Sequence, residues 1–124
     1  MTKSILVVDD EDSLRDLVCI CLEDLGGWNV LAAASGQEAL QKAEAHNLDA
    51  ILLDVSMPGM DGFQCYEILK VNPNTQTIPV VLLTAKVLPD DRLRFAQMDI
   101  AGVITKPFDP IIICDQVAEL LGWA

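Results

Sequence analysis

The stretch Ala50-Ile51-Leu52-Leu53-Asp54 decides the fold. Four consecutive apolar residues closed by an aspartate leave no polar face, so a strand made of them must be covered on both sides. Strands of that kind belong to parallel sheets, because the crossover between two parallel neighbours is a helix lying on one face. The flanking sequence supplies such helices. Upstream, Ser35-x-x-Glu38 is a capping box opening a helix that runs to about His46. Downstream, a Pro-Gly loop leads to Asp61, which can cap a helix running to about Val71.

The same alternation extends to both ends of the chain. Ser4–Val8 reads as a short apolar strand, and Ser13–Leu25 places Leu14, Leu17, Val18, Cys21, Leu22 and Leu25 on one helical face. Gly26-Gly27 stops that helix, and Asn29–Ala33 reads as a second strand. Beyond the central stretch, Pro79–Leu83 is a fourth strand. Pro89 with Asp90 and Asp91 has the proline and first-turn acids of a fourth helix start. Gly102–Thr105 is a fifth strand, and Asp109-Pro110 starts a last helix through about Leu121. Ile111, Ile112 and Ile113 are consecutive, and a helix cannot bury three consecutive residues on one stripe. That helix is either packed deep at the sheet edge or offers a partner surface. Five repeats of strand then helix imply an α/β sandwich around a parallel sheet.

At 124 residues the chain suits one domain with a single core. The expectation is one domain over 1–124 with no output domain. A content of 52% apolar and 22% charged residues is that of a globular fold. No apolar run approaches the roughly 18–20 residues that cross a bilayer, and the N-terminus lacks a secretory signal. A cytoplasmic protein without membrane association is expected. The net charge of −11 repels nucleic-acid phosphates and anionic lipid, so direct DNA binding is not expected. Cys19, Cys21, Cys65 and Cys114 form no C-x-x-C pair and read as reduced packing residues. His46 is the one histidine and falls at a helix C-terminus, where an imidazole suits the dipole. Trp28, Met57, Met60 and Met98 read as packing or loop residues.

Ligands of open parallel sheets collect outside the carboxyl ends of the strands. Here those ends carry Asp9-Asp10, Asp54, Thr84-Ala85 and Thr105-Lys106-Pro107. A single strand-end aspartate is explained by capping; carboxylates, a hydroxyl and an ammonium at four strand ends are not. Clustered carboxylates repel one another unless a cation sits among them, and an oxygen-rich site of few protein ligands suits Mg²⁺. A carboxylate can also attack phosphorus to give an acyl phosphate. Within the run Asp9–Asp12, Glu11 and Asp12 read as solvated or capping.

Val7-Val8-Asp9-Asp10, Leu52-Leu53-Asp54-Val55-Ser56-Met57-Pro58-Gly59-Met60-Asp61-Gly62, Leu83-Thr84-Ala85 and Thr105-Lys106-Pro107-Phe108 together resemble the motifs of response regulator receiver domains of two-component signalling. The resemblance covers essentially the whole chain. It implies a flavodoxin-like fold with strand order 2-1-3-4-5, and Asp54 as phosphoacceptor. It also implies Mg²⁺ held by Asp10 directly, Asp9 through water, Asp54 and the backbone carbonyl of Ser56. Lys106 would contact the phosphoryl group, Thr84 would shift toward it, the Lys106–Pro107 peptide would be cis, and Ala85 is the small residue expected beside the phosphate. Ser56 and Lys86 would tune the phosphate lifetime. The implied partners are a histidine kinase or phosphotransfer protein as donor, with Ile20 a candidate docking residue. Downstream, a protein partner or a second copy would dock on the face of helix four, strand five and helix five, with Ile111–Ile113 and Trp123 contributing.

Two places depart from the family pattern. Val103 stands where an aromatic residue is usual, three positions before the lysine, and Met98–Gly102 differs from the common Gly-Ala-Asp-Asp. A valine cannot swing a ring, so a switch would move the loop after Thr84 and the fourth helix without an aromatic partner. Two other functions fit the fold class. A phosphatase with an aspartyl-phosphate intermediate usually shows Asp-x-Asp, where this chain has Ser56 as its third residue. A flavin module needs a hydroxyl-rich loop after the first strand, where this chain has acids.

Overall fold

Strand and helix alternate strictly in a computed structural model that describes residues 2–85 and 89–123. The elements are β1 (Ser4–Val8), α1 (Asp12–Gly26), β2 (Asn29–Ala33), α2 (Gly36–Ala45), β3 (Ala50–Asp54), α3 (Gly62–Val71), β4 (Val80–Thr84), α4 (Pro89–Ala96), β5 (Gly102–Thr105) and α5 (Ile113–Leu121). Neighbouring strands all pair parallel, in the order β2-β1-β3-β4-β5. This is the flavodoxin-like sandwich that the alternation and the motifs implied. The winding direction reverses between β1 and β3, so the carboxyl ends of those two strands open the crevice.

Alternate residues of each strand feed two separate cores. Ile5, Val7, Ala50, Leu52, Val81, Leu83 and Ile104 pack with Val18 and Leu22 of α1 and Ile113 and Val117 of α5. Leu6, Val8, Ile51, Leu53, Val80 and Leu82 pack with Ala39 and Ala43 of α2, Cys65 and Leu69 of α3, and Phe95 of α4. By this period of two, Asp9, Asp54 and Lys106 prolong rows on the α1/α5 side, and Thr84 prolongs the row of Val80 and Leu82 on the α4 side. Every residue of β3 and β4 is buried, which is what the all-apolar stretch of β3 required.

Local chemistry sets the element ends. Ser35 Oγ accepts from the Glu38 N–H at 3.1 Å, and the Glu38 carboxylate accepts from the Ala34 N–H at 2.7 Å, one residue earlier than the reciprocal bond of a capping box. Asp61 and Gln64 form the full box at α3. Pro79 precedes β4 instead of opening it. It has no N–H to give the ladder, although its carbonyl accepts from Ile51 N–H at 2.9 Å.

Two expectations are corrected. On α1, Val18 and Leu22 are buried, but Leu17 and Leu25 are 41% and 60% exposed. The apolar stripe is wider than the strip that β1, β2 and α5 cover, and Leu25 lies in the last turn. The final helix begins at Ile113, not at Asp109. Asp109 instead folds residues 110–112 into a turn, its carboxylate accepting from Ile111 N–H and its carbonyl from Ile112 N–H and Ile113 N–H. That turn resolves the isoleucine run, for Ile111 and Ile112 face solvent and only Ile113 enters the core. Trp123 packs edge-to-face on Trp28, with centroids 4.8 Å apart and Lys3 above its ring. The four cysteines are free, and burial pushes the Cys65 thiol up to about 11.

The start of α3 lies tight against the end of β3. A Cβ on Gly62 would fall 2.4 Å from the Asp54 carbonyl oxygen and 2.7 Å from Val55 Cα. Both are backbone atoms that cannot swing aside. At Gly102 the nearest atoms are the tip of the flexible Leu120 side chain. Urea unfolding should therefore show Gly62→Ala destabilised by about 3 kcal/mol and Gly102→Ala by about 1 kcal/mol, opposite ends of the overpacking range.

Candidate functional site

The carboxyl ends of β1, β3 and β5 converge on a cluster of charge. Asp9 and Asp54 are 1% and 2% exposed, while Asp10 is open to solvent. Asp9, Asp10 and Asp54 each present a carboxylate oxygen, all within 4.8 Å of one another. Lys106 enters from the other side of the crevice, its Nζ 3.1 Å from Asp54 Oδ1 and 3.2 Å from Asp9 Oδ2. Three carboxylates against one ammonium leave two unbalanced negative charges, and all of the cluster's acceptors are oxygen. That donor set fits a small divalent cation such as Mg²⁺.

Hydrogen bonds to the backbone fix Asp9, Asp54 and Lys106. Asp9 N–H donates to the Ala33 carbonyl at 3.1 Å, and Asp9 Oδ1 accepts from Glu11 N–H at 2.9 Å, turning the chain sharply out of β1. The Arg15 guanidinium reaches back from α1 to the Asp9 carbonyl at 2.9 Å and to Asp12 Oδ1 at 2.8 Å. Ser56 N–H lies 3.4 Å from Asp54 Oδ1. Lys106 N–H donates to the Thr84 carbonyl at 2.7 Å, and the Lys106–Pro107 peptide is cis. Thr84 is buried at the end of β4, in register with Thr105. All five side-chain residues singled out in the sequence, Asp9, Asp10, Asp54, Thr84 and Lys106, thus lie on one edge of the sheet. Ala85 is exposed beside them, and Lys86 lies outside the described residues.

Burial raises the Asp54 pKa above its ordinary value, and the Asp9 charge adds to the rise; Lys106 opposes both without cancelling them. Burial depresses the Lys106 ammonium, but Asp54 and then Asp9 outweigh it, so its pKa stands above the usual lysine value. The ionised Asp54 is therefore the strained partner, and Lys106 the group that holds the cluster together.

Sequence reasoning passed over three contributors. Arg15 was missed because its partners are a backbone carbonyl and an aspartate one helical turn earlier, a spacing common to solvated helix faces. Gly62 was read only within a motif, although its missing side chain lets α3 start against Asp54. A small apolar cavity of about 380 Å³ beside Lys106, walled by Leu14, Ala85, Pro107 and Phe108, joins segments distant in the chain. A larger cleft of about 560 Å³ lies away from the acids between α4 and β5, over Phe95, Met98, Ile100 and Val103.

A raised carboxylate pKa adds stability below the unfolded value and loses it as pH rises through the folded value. A charge on Asp54 at neutral pH thus works against the fold when no metal is bound. Thermal unfolding of metal-free Asp54→Asn at pH 7 should show Tm raised by roughly 2–4 °C, the gain vanishing as pH falls below the carboxylate range. Lys106→Met should lower the metal-free Tm at pH 7, since its raised pKa keeps that pairing intact until the pH exceeds the lysine range.

Residues 5–118 match the family model of the response regulator receiver domain. The chain is 37% identical over 107 residues to response regulator Rre1 of Synechocystis sp., an alignment covering 86% of this chain and 46% of that protein. It is 37% identical over 121 residues to the alkaline phosphatase synthesis transcriptional regulatory protein PhoP of Bacillus subtilis, covering 98% of this chain and 49% of that one. The chain thus spans about half the length of the curated relatives it matches. Among solved structures, the chemotaxis protein CheY4 of Vibrio cholerae superposes with a TM-score of 0.88 at 31% identity, covering 97% of this chain and 99% of that one. The receiver domain of sensor histidine kinase PA1611 from Pseudomonas aeruginosa, described with a magnesium ion coordinated in its active site cleft, gives 0.84 at 28% identity, covering 98% and 99%. Fold, strand-end residues and relatives agree, and the chain belongs to the response regulator receiver domain family of two-component signalling.

Proposed function

We propose that Asp54 accepts a phosphoryl group from the phosphohistidine of a sensor kinase or phosphotransfer protein, in a Mg²⁺-dependent reaction, and passes the signal to a partner through the protein surface. The observation that carries this reading is the buried Asp54 carboxylate, held 3.1 Å from an ammonium and within 4.8 Å of two further carboxylates. In the transfer an Asp54 oxygen forms a bond to phosphorus as the phosphorus–nitrogen bond of the donor breaks. The departing imidazole keeps the electron pair and takes a proton from solvent. Hydrolysis reverses the first gain: water attacks phosphorus, the carboxylate leaves, and inorganic phosphate is released.

Each neighbour has a role in that scheme. Asp10 directly, Asp9 through water, Asp54 and the Ser56 carbonyl would hold Mg²⁺, which when bound supplies charge neutralisation for the phosphoryl oxygens. Lys106 would move from Asp54 to a phosphoryl oxygen, the ammonium following the negative charge. Thr84 would donate its hydroxyl to another. Since Thr84 prolongs the α4-side row and Asp54 the α1/α5-side row, such a bond ties the two faces of the sheet together. That is a route from the acceptor to α4 that needs no ring at Val103. Residues 86–88, through which the loop after Thr84 would shift, lie outside the described residues.

The surfaces divide accordingly. The donor would dock over the apolar cavity beside Lys106, and Ile20 of α1, which is exposed, is a further candidate contact. The output partner or second copy would use the α4–β5–α5 face, where the cleft above Val103 lies. Ile111 and Ile112 belong to the turn between β5 and α5, at the same edge of the sheet as the acids, so they are assigned to the donor side. Among the described residues no helix is long and apolar enough to cross a membrane, and a cytoplasmic location is the one this reading takes.

Acetyl phosphate with Mg²⁺ should add the mass of one phosphoryl group, and chelation or Asp54→Asn should abolish the gain. Lys106→Ala should slow it by about 100-fold, on the scale of losing one charge stabiliser of a transition state. Intact mass is the suitable readout, because Trp28 and Trp123 sit at the opposite edge of the sheet from Asp54. Unmodified wild-type protein, or turnover of added phosphomonoesters, would overturn the reading. In crystals with and without beryllofluoride, the Thr84 side chain and α4 should differ; identical positions would remove the proposed route to the surface.

A further inference from the structure

We propose that Arg15 is a positioning residue for the metal ligand Asp10, an assignment that rests on reading the three acids as a cation site. Asp10 is the exposed member of the cluster and follows directly on the end of β1. The direction of its Cα–Cβ bond, from which the carboxylate projects, is set by the two peptide planes on either side of its Cα. The plane before it carries the Asp9 carbonyl, which accepts from Arg15 Nη1 at 2.9 Å. The plane after it carries the Glu11 N–H, which donates to Asp9 Oδ1 at 2.9 Å. One side-chain bond on each plane fixes both backbone torsions of Asp10, and Arg15 supplies one of the two.

The guanidinium is itself held. Its other nitrogen pairs with Asp12 Oδ1 at 2.8 Å, and the Arg15 side chain is 15% exposed against 81% for Asp12. Both arms of the fork are thus used on the turn, and among the described residues Arg15 pairs with Asp12 and not with the carboxylates of Asp9, Asp10 or Asp54. Arg15 acts on the metal ligand through the backbone, and leaves the cluster's two unbalanced charges for the cation. The N-cap of α1 has no side-chain cap, so the fork, together with the bond from Glu11 N–H to Asp9 Oδ1, ties the start of this helix to the end of β1. A lysine in its place brings one charge but not two donors in a fixed plane.

The test separates positioning from mere stability. Mg²⁺ affinity is measured by calorimetric titration and by the metal-induced rise in Tm, for wild type, Arg15→Ala and Arg15→Lys, with Asp54→Asn as control. Arg15→Ala should weaken Mg²⁺ binding on the order of tenfold, within the range for groups that orient metal ligands. Arg15→Lys should fall between the two. Phosphorylation by acetyl phosphate at saturating Mg²⁺ should stay within about threefold of wild type, since the transition-state groups are untouched. Arg15→Lys keeps charge and stem and carries the test if the alanine variant does not fold. A lower metal-free Tm with wild-type Mg²⁺ affinity, in either variant, would overturn the assignment and leave Arg15 a stabilising residue only. A wild-type protein that does not respond to Mg²⁺ at all would instead take down the site reading, and the proposal with it.

Discussion

Two carboxylates buried side by side repel, and the rest of this structure is arranged around that repulsion. Asp9 and Asp54 end neighbouring strands on the same face of the sheet, and burial removes the water that would screen them. Lys106 bridges both at close to 3 Å, yet the Asp54 pKa remains raised. An arrangement that a single ammonium leaves unbalanced is poised for more positive charge. A small divalent cation would supply it without bringing a bulky group into the crevice.

That poise depends on the scaffold being unable to relax. β3 and β4 are buried along their whole length, so the ends of the central strands cannot splay to separate the acids. Gly62 lets α3 begin against the Asp54 carbonyl. Lys106 is anchored through its own backbone to Thr84, at the end of the next strand. The Asp9–Glu11 turn is closed from within by the Asp9 side chain and from outside by Arg15. Rigid strands and braced turns keep the like charges together.

The parity of the strands gives the site two sides. Asp9, Asp54 and Lys106 lie on rows that continue into the α1/α5 core, and Thr84 on a row that continues into the core beneath α4. A group bonded to both Asp54 and Thr84 would couple the two cores, which share no residue. Val103 packs on the α4 side, next to an open cleft. Val103 brings no ring to that surface, where the aromatic side chain lining the cleft is that of Phe95.

Much of this was legible in the residues themselves. The uninterrupted apolar run of β3 specified a sheet covered on both faces, since no residue in it tolerates water. The aspartates, threonine and lysine could be placed on one edge because parallel strands all point the same way. Helix starts at Ser35 and Asp61 were readable because a cap is made by residues three apart. What could not be read were relations between distant segments. Lys106 and Asp9 are 97 positions apart, and their 3.2 Å pairing depends on strand register and crossover packing. The exposure of Leu17 and Leu25 was decided by how much of α1 its neighbours cover, and that of Ile111 and Ile112 by Asp109 capping a turn in place of a helix. The periodicity of a chain is local, so sequence alone determined the order of the elements and the chemistry at the strand ends. Burial, charge balance and the bracing of Asp10 by Arg15 arise only when separate elements pack, and the tertiary structure decided them.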